Sequence, residues 1–371
     1  MKSKQLTVWE AACIITGYGV GGGVMAMPYL TARNGLAVSL LILLAALLAS
    51  FVLHSMIAEM TLKSGEGAQI TGAFSKYLFT GKWKKGLTLA FFIVMALVLF
   101  TNLAAYISGA AEILSELLGI GLVWAELLFY AAAASVVLFG LKAVGVSEKL
   151  AVAVIFAIVG ILAVCSLFHI ENALPWRPGT PAEGLAYFGM AMFAFLAFFS
   201  VPQAVQGLGG DAKKVRKAIF LGMFNNFVLI LVITVCALLS SGEVTQVAMI
   251  GWSKGIGSWA QLVGSVFTIL AMLTTYWSIS LALADIVEEQ LRLERRVCWL
   301  IATLPSLLMT FAGLAGGLIA ILVAVMGVPA YRRSRRDGGS LMLGRWGGTG
   351  MQAAMIAAYV LMALGNLVTV G

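Results

Sequence analysis

The chain has 371 residues, of which 61% are hydrophobic and only 11% are charged. Soluble domains carry about a quarter charged residues, so this chain has too few polar side chains to cover a water-facing surface. The composition excludes a soluble enzyme, a secreted disulfide-rich domain and a protein with a single membrane anchor. It predicts an all-α protein that crosses a membrane many times. The net charge of +8 is interpreted as a marker of topology and not as a nucleic-acid surface.

Eleven apolar segments follow one another along the chain, and each is long enough to cross most or all of the bilayer core. The division between the ninth and tenth segments requires a tight turn, for which Gly313, Gly316 and Gly317 are suited. The linker at 64–85 mixes aromatic residues with lysines, which is typical either of a helix at the membrane surface or of an ordinary loop. The segments cover residues 7–32, 36–62, 86–115, 121–141, 146–169, 184–208, 216–241, 256–290, 297–313, 316–331 and 349–370.

Basic residues are distributed unequally between the two sides of the predicted membrane. With the amino terminus in the cytoplasm, only Arg33, Arg177 and Lys254 fall outside, which leaves 21 of the 24 basic residues inside. Cytoplasmic loops of membrane proteins carry such an excess. The asymmetry predicts eleven spans, with the amino end inside and the carboxyl end outside.

The first apolar segment has five glycines in the seven positions from Gly17 to Gly23, followed by Pro28. Glycine and proline both disfavour a continuous helix, and irregular backbone at membrane depth is tolerated where it is buried in protein or lines a cavity. An unwound segment would expose amide N–H groups at the start of the outer half-helix, where a carboxylate is favoured. The alternative is close helix packing, because small residues four positions apart let helices approach.

The sixth apolar segment contains a matching interruption. Its bulky run from Phe193 to Ser200 is followed by Pro202, and three glycines come next. Four spans lie between the two interrupted segments, so these two segments run in opposite directions. Interrupted helices at corresponding places in two inverted halves indicate the binding site of a secondary transporter.

The run from Gly21 to Tyr29, with Gly35 just beyond, resembles the first-span signature of the amino acid/auxin permease family of the amino acid-polyamine-organocation superfamily. The stretch from Phe193 to Pro202, followed by the basic run 213–217, is similar to that family's second signature. The resemblance implies the LeuT-type fold, with two inverted five-helix repeats, an eleventh helix, and helices 1 and 6 broken. Residues 1–371 would form one transporter domain, with repeats at about 7–170 and 184–331 and the extra helix at about 349–370.

The resemblance also implies amino acid transport by alternating access, with the substrate held at the two breaks. Neither interruption contains an acidic residue, which favours a neutral amino acid with an apolar or aromatic side chain. Tyr106 of the third segment could donate to the substrate carboxylate or could serve helix packing. The candidate substrate-binding residues are Gly19, Gly21, Gly22, Gly23, Tyr106, Phe195, Phe198, Phe199 and Ser200.

The eighth segment carries a candidate cation site, because Ala271, Thr274 and Thr275 share one helix face. In this fold a sodium site joins the first and eighth helices, and the backbone at Gly17 would supply further oxygens for a sodium ion. The alternative is that the threonine hydroxyls bond back to the preceding turn of their own helix. Relatives that use sodium often have asparagine where this chain has Gly17, which favours protons over sodium.

Ionisable residues within the apolar segments are the candidates for proton coupling. His54 is the deepest, although a buried histidine could simply hydrogen-bond a neighbouring helix. Lys149 starts the fifth segment, where some relatives in the wider superfamily place a lysine in the sodium position. The coupling candidates are therefore Gly17, Ala271, Thr274, Thr275, His54 and Lys149.

The leading hypothesis is a secondary active transporter of a neutral amino acid. An amino acid exchanger or exporter and a non-transporting sensor are the alternatives. The sequence shows no constellation typical of an enzyme, and no cofactor is expected. The expected partners are the amino acid, H⁺ or Na⁺ and the lipid bilayer, without nucleic acid, and the oligomeric state is left open.

Overall fold

The computed structural model describes residues 5–311 and 320–368, and the regular secondary structure in these two stretches is helical. The first half consists of α1 (Val8–Gly19), α2 (Gly22–Asn34), α3 (Leu36–Ser64), α4 (Ile70–Tyr77), α5 (Lys84–Leu118), α6 (Leu122–Leu138) and α7 (Leu141–Ser166). The second half consists of α8 (Pro181–Ala194), α9 (Val201–Gly207), α10 (Ala212–Ser240), α11 (Ala248–Ile256), α12 (Ser258–Leu291), α13 (Arg295–Phe311), α14 (Ala320–Ser334) and α15 (Thr349–Asn366).

Over its described residues, each predicted apolar segment coincides with one helix or, for the first and sixth segments, with a pair of short helices. α1 and α2 form one bent pair, with 59° between them. Within the described residues, six helical segments and this bent pair are long and apolar enough to cross a membrane, with α8 and α9 counted as one. The helices of the other four predicted spans, α6, α13, α14 and α15, are shorter. The predicted turn at Gly313, Gly316 and Gly317 lies outside the described residues.

Both broken pairs begin with the same local structure. Thr7 Oγ1 accepts a hydrogen bond from the Glu10 amide at 3.1 Å, and the Glu10 carboxylate accepts one from the Thr7 amide at 2.8 Å. Thr180 and Glu183 form the equivalent reciprocal pair at the start of α8. Such a capping box satisfies two amides that the helix itself leaves without partners. The starting points of both pairs are therefore set by short stretches of sequence.

The linker at 64–85 forms the short helix α4, which packs on α3, α5 and α14. Phe74 is its buried anchor, and its ring centroid lies 5.2 Å from that of Phe91. The Glu289 carboxylate at the end of α12 accepts hydrogen bonds from the amides of Gln69 (2.8 Å) and Gly72 (2.9 Å). The linker therefore contains a helix, while its predicted position at the membrane surface stays a prediction.

The long helices pack as two groups. One contains α1, α2, α3, α8, α9 and α10, and the other contains α5, α6, α12 and α13. α7 lies between them and contacts α1 and α10 on one side and α12 on the other. Both interrupted pairs belong to the first group, and α1 as well as the turn that follows α8 contacts α12. The two breaks are therefore enclosed by protein, as irregular backbone at membrane depth requires.

The contact between α1 and α10 depends on a glycine. A Cβ atom at Gly222 of α10 would lie 2.7 Å from the Cβ of Ile15 and 2.8 Å from the carbonyl oxygen of Ala12, which is too close for any side chain. Gly160 of α7 is also a mid-helix glycine, but a Cβ there would meet nothing within 4 Å. The two glycines are a matched pair, because Gly222 is packed against α1 and Gly160 has no neighbour at that distance.

Replacement of Gly222 by valine should therefore lower the stability by about 1–3 kcal/mol, the usual cost of overpacking. The measurement is thermal unfolding of the purified protein in detergent. Gly160→Val serves as the control for β-branching in a helix and should leave the melting temperature close to that of the unchanged protein. Equal melting temperatures for the two variants would show that α1 does not need this close approach.

Candidate functional site

The first break leaves the start of α2 uncapped. α1 ends at Gly19 and α2 begins at Gly22, and no side chain caps the first amides of α2. A Cβ atom at Gly22 would meet nothing within 4 Å. The amino end of α2 therefore borders open space, where its unpaired amides and the positive end of its dipole favour a carboxylate.

Two hydroxyl groups lie beside this open space. A Cβ atom at Gly21 would lie 3.0 Å from the hydroxyl of Tyr106 on α5 and 3.3 Å from the hydroxyl of Thr275 on α12. Gly21 is thus enclosed by the second group of helices, while its neighbour Gly22 is open. The structure brings together Gly21, Gly22 and Tyr106, three of the predicted substrate-binding residues.

The other two glycines of the predicted substrate site serve helix packing. A Cβ atom at Gly23 would lie 2.8 Å from the Cα of Ala194, and one at Gly19 would lie 3.1 Å from the Ala194 carbonyl oxygen and would collide with Asn226. Ala194 is the last residue of α8. The two breaks therefore touch each other at Ala194, and small residues make this contact possible.

The second break is held by a histidine. The Ala197 amide donates a hydrogen bond to His54 Nε2 at 3.0 Å, and His54 Nδ1 lies 2.6 Å from the carbonyl oxygen of Ser50. A carbonyl oxygen only accepts, so Nδ1 carries the proton and Nε2 is the acceptor. His54 is therefore neutral here and supplies the hydrogen bond that the interrupted helix leaves unmade at Ala197.

The predicted aromatic residues lie around this second break. Phe195, Phe198, Phe199 and Ser200 are each at most 2% exposed. The rings of Phe198 and Phe199 are 4.7 Å apart between centroids. The 3₁₀ turn Phe198–Ser200 contacts α1, α3 and α12. The buried Ser200 hydroxyl has no hydrogen-bond partner within the described part of the chain.

The predicted cation site joins α1 to α12 directly. The carbonyl oxygen of Gly17 accepts hydrogen bonds from the hydroxyls of Thr274 (3.2 Å) and Thr275 (3.1 Å). The same hydroxyls lie 3.0 and 2.9 Å from the carbonyl oxygen of Ala271 one turn earlier. Each hydroxyl has a single proton, which it shares between the carbonyl of Gly17 on α1 and the carbonyl of Ala271 on its own helix. Gly17, Ala271, Thr274 and Thr275 form one cluster.

Glu148, a residue that the sequence analysis missed, lies at this cluster. It is fully buried, and its Oε1 accepts a hydrogen bond from the Ser278 hydroxyl at 2.8 Å. A Cβ atom at Gly17 would collide with its Oε2. The predicted candidate Lys149 is exposed and does not join the cluster. Helical spacing could have identified Glu148 as an inward-facing residue, because it lies four residues from Val144 and from Val152, which are both buried.

Comparison with solved structures defines the class of protein. The fold is similar to that of Mhp1, a nucleobase-cation-symport-1 family transporter in a closed conformation with bromovinylhydantoin bound (TM-score 0.70, 14% identity, 98% of this chain and 91% of Mhp1 covered). It is also similar to MhsT in complex with L-phenylalanine (TM-score 0.67, 16% identity, 99% and 100% covered). The protein is therefore a helical membrane protein of the LeuT-type fold, which confirms the predicted fold class.

The family model for the tryptophan/tyrosine permease family matches residues 4–366, and the chain belongs to that family. It is 25% identical over 397 aligned residues to "Tyrosine-specific transport system 1" of Haemophilus influenzae, with 96% of this chain and 94% of the relative covered. It is 24% identical over 345 residues to "Glutamine transporter 2" of Aliivibrio fischeri, with 86% and 84% covered.

These findings make the chain an amino acid transporter and not an enzyme, as the sequence analysis predicted. The family that matches is the tryptophan/tyrosine permease family and not the amino acid/auxin permease family, which the motifs in the first and sixth segments resemble. The inferred fold and the inferred class of substrate, amino acids, are the same for both families. The individual site residues remain predictions.

Replacement of His54 by leucine should lower the stability by about 1–3 kcal/mol, because the buried Ala197 amide loses its acceptor. Thermal unfolding in detergent measures the change. His169→Leu is the matched control. His169 is exposed, and its Nδ1 lies near the carbonyl oxygen of Cys165 at the end of α7. If both variants unfold at the same temperature, His54 does not hold the second break.

Proposed function

We propose that this chain transports a neutral amino acid with an apolar or aromatic side chain across a bacterial inner membrane by alternating access, with protons as the coupling ion. The observation that carries this proposal is the uncapped start of α2 at Gly22. It combines open space, free backbone donors and an adjacent hydroxyl at Tyr106 in one place. A carboxylate is the group that fits these donors.

The backbone on the other side of the breaks suits the substrate's ammonium group. The last carbonyls of a helix have no partners within the helix and carry the negative end of its dipole. α1 and α8 both end at this place, and the Ala194 carbonyl faces Gly19. A zwitterionic amino acid would thus be bound by helix ends of both signs.

The side-chain preference follows from the aromatic run after α8. Phe195, Phe198 and Phe199 are buried beside the second break, and a charged substrate would be disfavoured next to these rings because a desolvated charge needs a partner. The named substrates of the relatives are neutral amino acids, namely tyrosine, glutamine and, in the MhsT complex, phenylalanine. An aromatic amino acid fits the phenylalanines better than glutamine does.

The proposal includes the arrangement of the chain in the membrane. One inverted repeat would cover about residues 7–170 and the second about 184–331, with α15 as the extra helix. The excess of basic residues supports an amino end in the cytoplasm and a carboxyl end outside. In this arrangement the two broken pairs occupy corresponding positions in the two repeats, which is where transporters of this type bind their substrates.

The function is tested by uptake into proteoliposomes with separate proton and sodium gradients. The panel contains tryptophan, tyrosine, phenylalanine, leucine and glutamine, with lysine and glutamate as charged controls. We expect saturable, proton-driven accumulation of an aromatic amino acid, weaker uptake of glutamine and none of the charged pair. Absence of saturable uptake for every amino acid would contradict the proposal, and uptake driven only by sodium would contradict its coupling ion.

Replacement of Gly22 by leucine should block the open space at the start of α2 and lower substrate affinity by at least about tenfold, or 1.4 kcal/mol. The melting temperature should change little, because nothing lies within 4 Å of the added Cβ. Equilibrium binding of the transported amino acid and thermal unfolding are measured together. Gly23→Leu is the contrasting variant and should lower stability, since its side chain would push against Ala194. Unchanged affinity in Gly22→Leu would show that the substrate binds elsewhere.

A further inference from the structure

Two basic segments lie next to the starts of α5 and α15. Residues 76–85, from the end of α4 to the first turn of α5, contain four lysines and no acidic residue. Residues 332–345, from the end of α14 to just before α15, contain five arginines and a single acidic residue, Asp337. The excess of basic residues predicts that both segments face the cytoplasm. We call the two segments together the basic surface.

Hydrogen bonds hold the two segments of the basic surface against each other. Arg333, near the end of α14, donates to the carbonyl oxygens of Tyr77 (3.1 Å) and Leu78 (2.8 Å), where α4 ends. Arg335 donates to the carbonyl oxygen of Gly344 at 3.2 Å, shortly before α15 begins. α4 also contacts α5, and α14 contacts α15. The starts of α5 and α15 therefore border one continuous surface.

The other cations of the basic surface are free to bind a ligand. Six of its basic side chains are exposed, and none of them forms a side-chain hydrogen bond or an ion pair within the described residues. They are Lys82, Lys84, Lys85, Arg332, Arg336 and Arg345. Asp337 offsets only one of these charges. Because like charges repel one another, an anion bound among them would be favoured.

A tryptophan adjoins the free cations in each segment. Trp83 is 79% exposed and is followed directly by Lys84 and Lys85. Trp346 is 73% exposed and directly follows Arg345. Exposed tryptophans are typical of the level where lipid head groups meet acyl chains, because the ring is largely apolar and its N–H is polar. Each segment thus combines a group suited to a phosphate with one suited to a lipid chain.

The side chains that follow Trp83 place this level beside lipid. α5 is one of the helices long and apolar enough to cross a membrane. Its first turns expose Leu87, Leu89 and Ile93, the apolar face expected of a helix in contact with acyl chains. Head groups lie where such a face ends. Lys84 and Lys85 are therefore at the level of the lipid phosphates.

We propose that the basic surface binds the head group of an anionic phospholipid. Lys84, Lys85 and Arg345 attract the phosphate, and Trp83 and Trp346 contact the glycerol and the upper part of the acyl chains. Basic pockets between membrane helices on the cytoplasmic side bind such head groups. The bound lipid connects the start of α5 to the start of α15. The site is independent of the transported substrate and of the coupling ion.

The test combines Lys84→Gln, Lys85→Gln and Arg345→Gln in one variant. Native mass spectrometry of the purified protein counts bound phosphatidylglycerol, with phosphatidylcholine as the zwitterionic probe. We expect the unchanged protein to bind phosphatidylglycerol at least about tenfold more tightly than phosphatidylcholine. The triple variant should lose this preference. An unchanged preference in the triple variant would overturn the proposal.

The matched control combines Lys213→Gln, Arg216→Gln and Lys217→Gln. It removes the same number of exposed charges from the basic run at the start of α10, which is also predicted to be cytoplasmic and contains no tryptophan. This variant should keep the preference for phosphatidylglycerol. Equal losses in the two triple variants would overturn the proposal, because the overall charge alone would then explain the binding.

Two further measurements keep the interpretation of the variants clear. In lipid-free detergent both triple variants should unfold at the temperature of the unchanged protein, and a lower temperature for the first would show that its cations have partners within the protein. In proteoliposomes, brominated phosphatidylglycerol should quench tryptophan fluorescence more than brominated phosphatidylcholine does. Trp83→Phe combined with Trp346→Phe should remove this difference. Equal quenching of the unchanged protein by the two lipids would overturn the proposal, whether or not amino acid transport is found.

Discussion

Backbone polar groups at membrane depth must find partners within the protein, because lipid offers none. At Gly17 and at Ala197, the two breaks satisfy this constraint through side chains of other helices. Thr274 and Thr275 of α12 donate to the carbonyl of Gly17, and His54 of α3 accepts from the amide of Ala197. These bonds fix α12 against the first break and α3 against the second. Each break therefore requires a hydrogen-bonding side chain on a neighbouring helix. The contacts made by these side chains enclose the site between the two helix groups.

The glycine run of the first span is not one motif with one purpose. Gly19 and Gly23 allow the backbone of α8 to approach, Gly21 is small because hydroxyls surround it, and Gly22 faces open space. The packing and binding interpretations of this run therefore both apply, each to different residues. Neighbouring glycines can serve these two purposes because successive residues of a helix point about 100° apart. Close contact on one side holds the α2 amino end in position while the other side is left for a ligand.

Much of the fold could be predicted because its signals are local. Apolar runs give the positions of the spans, and Thr7 with Glu10 sets the start of α1 through neighbouring residues alone. The site is different, since its contacts join distant parts of the chain: Ser278 is 264 residues from Ile14 and 130 from Glu148. Periodicity indicates that a residue faces the interior, but not what lies opposite. Lys149 was predicted and Glu148 was missed for this reason, since one position along a helix separates a buried side chain from an exposed one.

The absence of a side chain at position 17 and the presence of Glu148 are parts of the same arrangement. A Cβ atom at Gly17 would collide with the Glu148 carboxyl, so only glycine leaves room for it between α1 and α12. The group that fills this space therefore comes from α7 and not from α1. The oxygens that would surround a cation are bonded to one another through Ser278, Thr274 and Thr275. These hydrogen bonds, like the bond that His54 accepts at the second break, join helices that are far apart in the sequence.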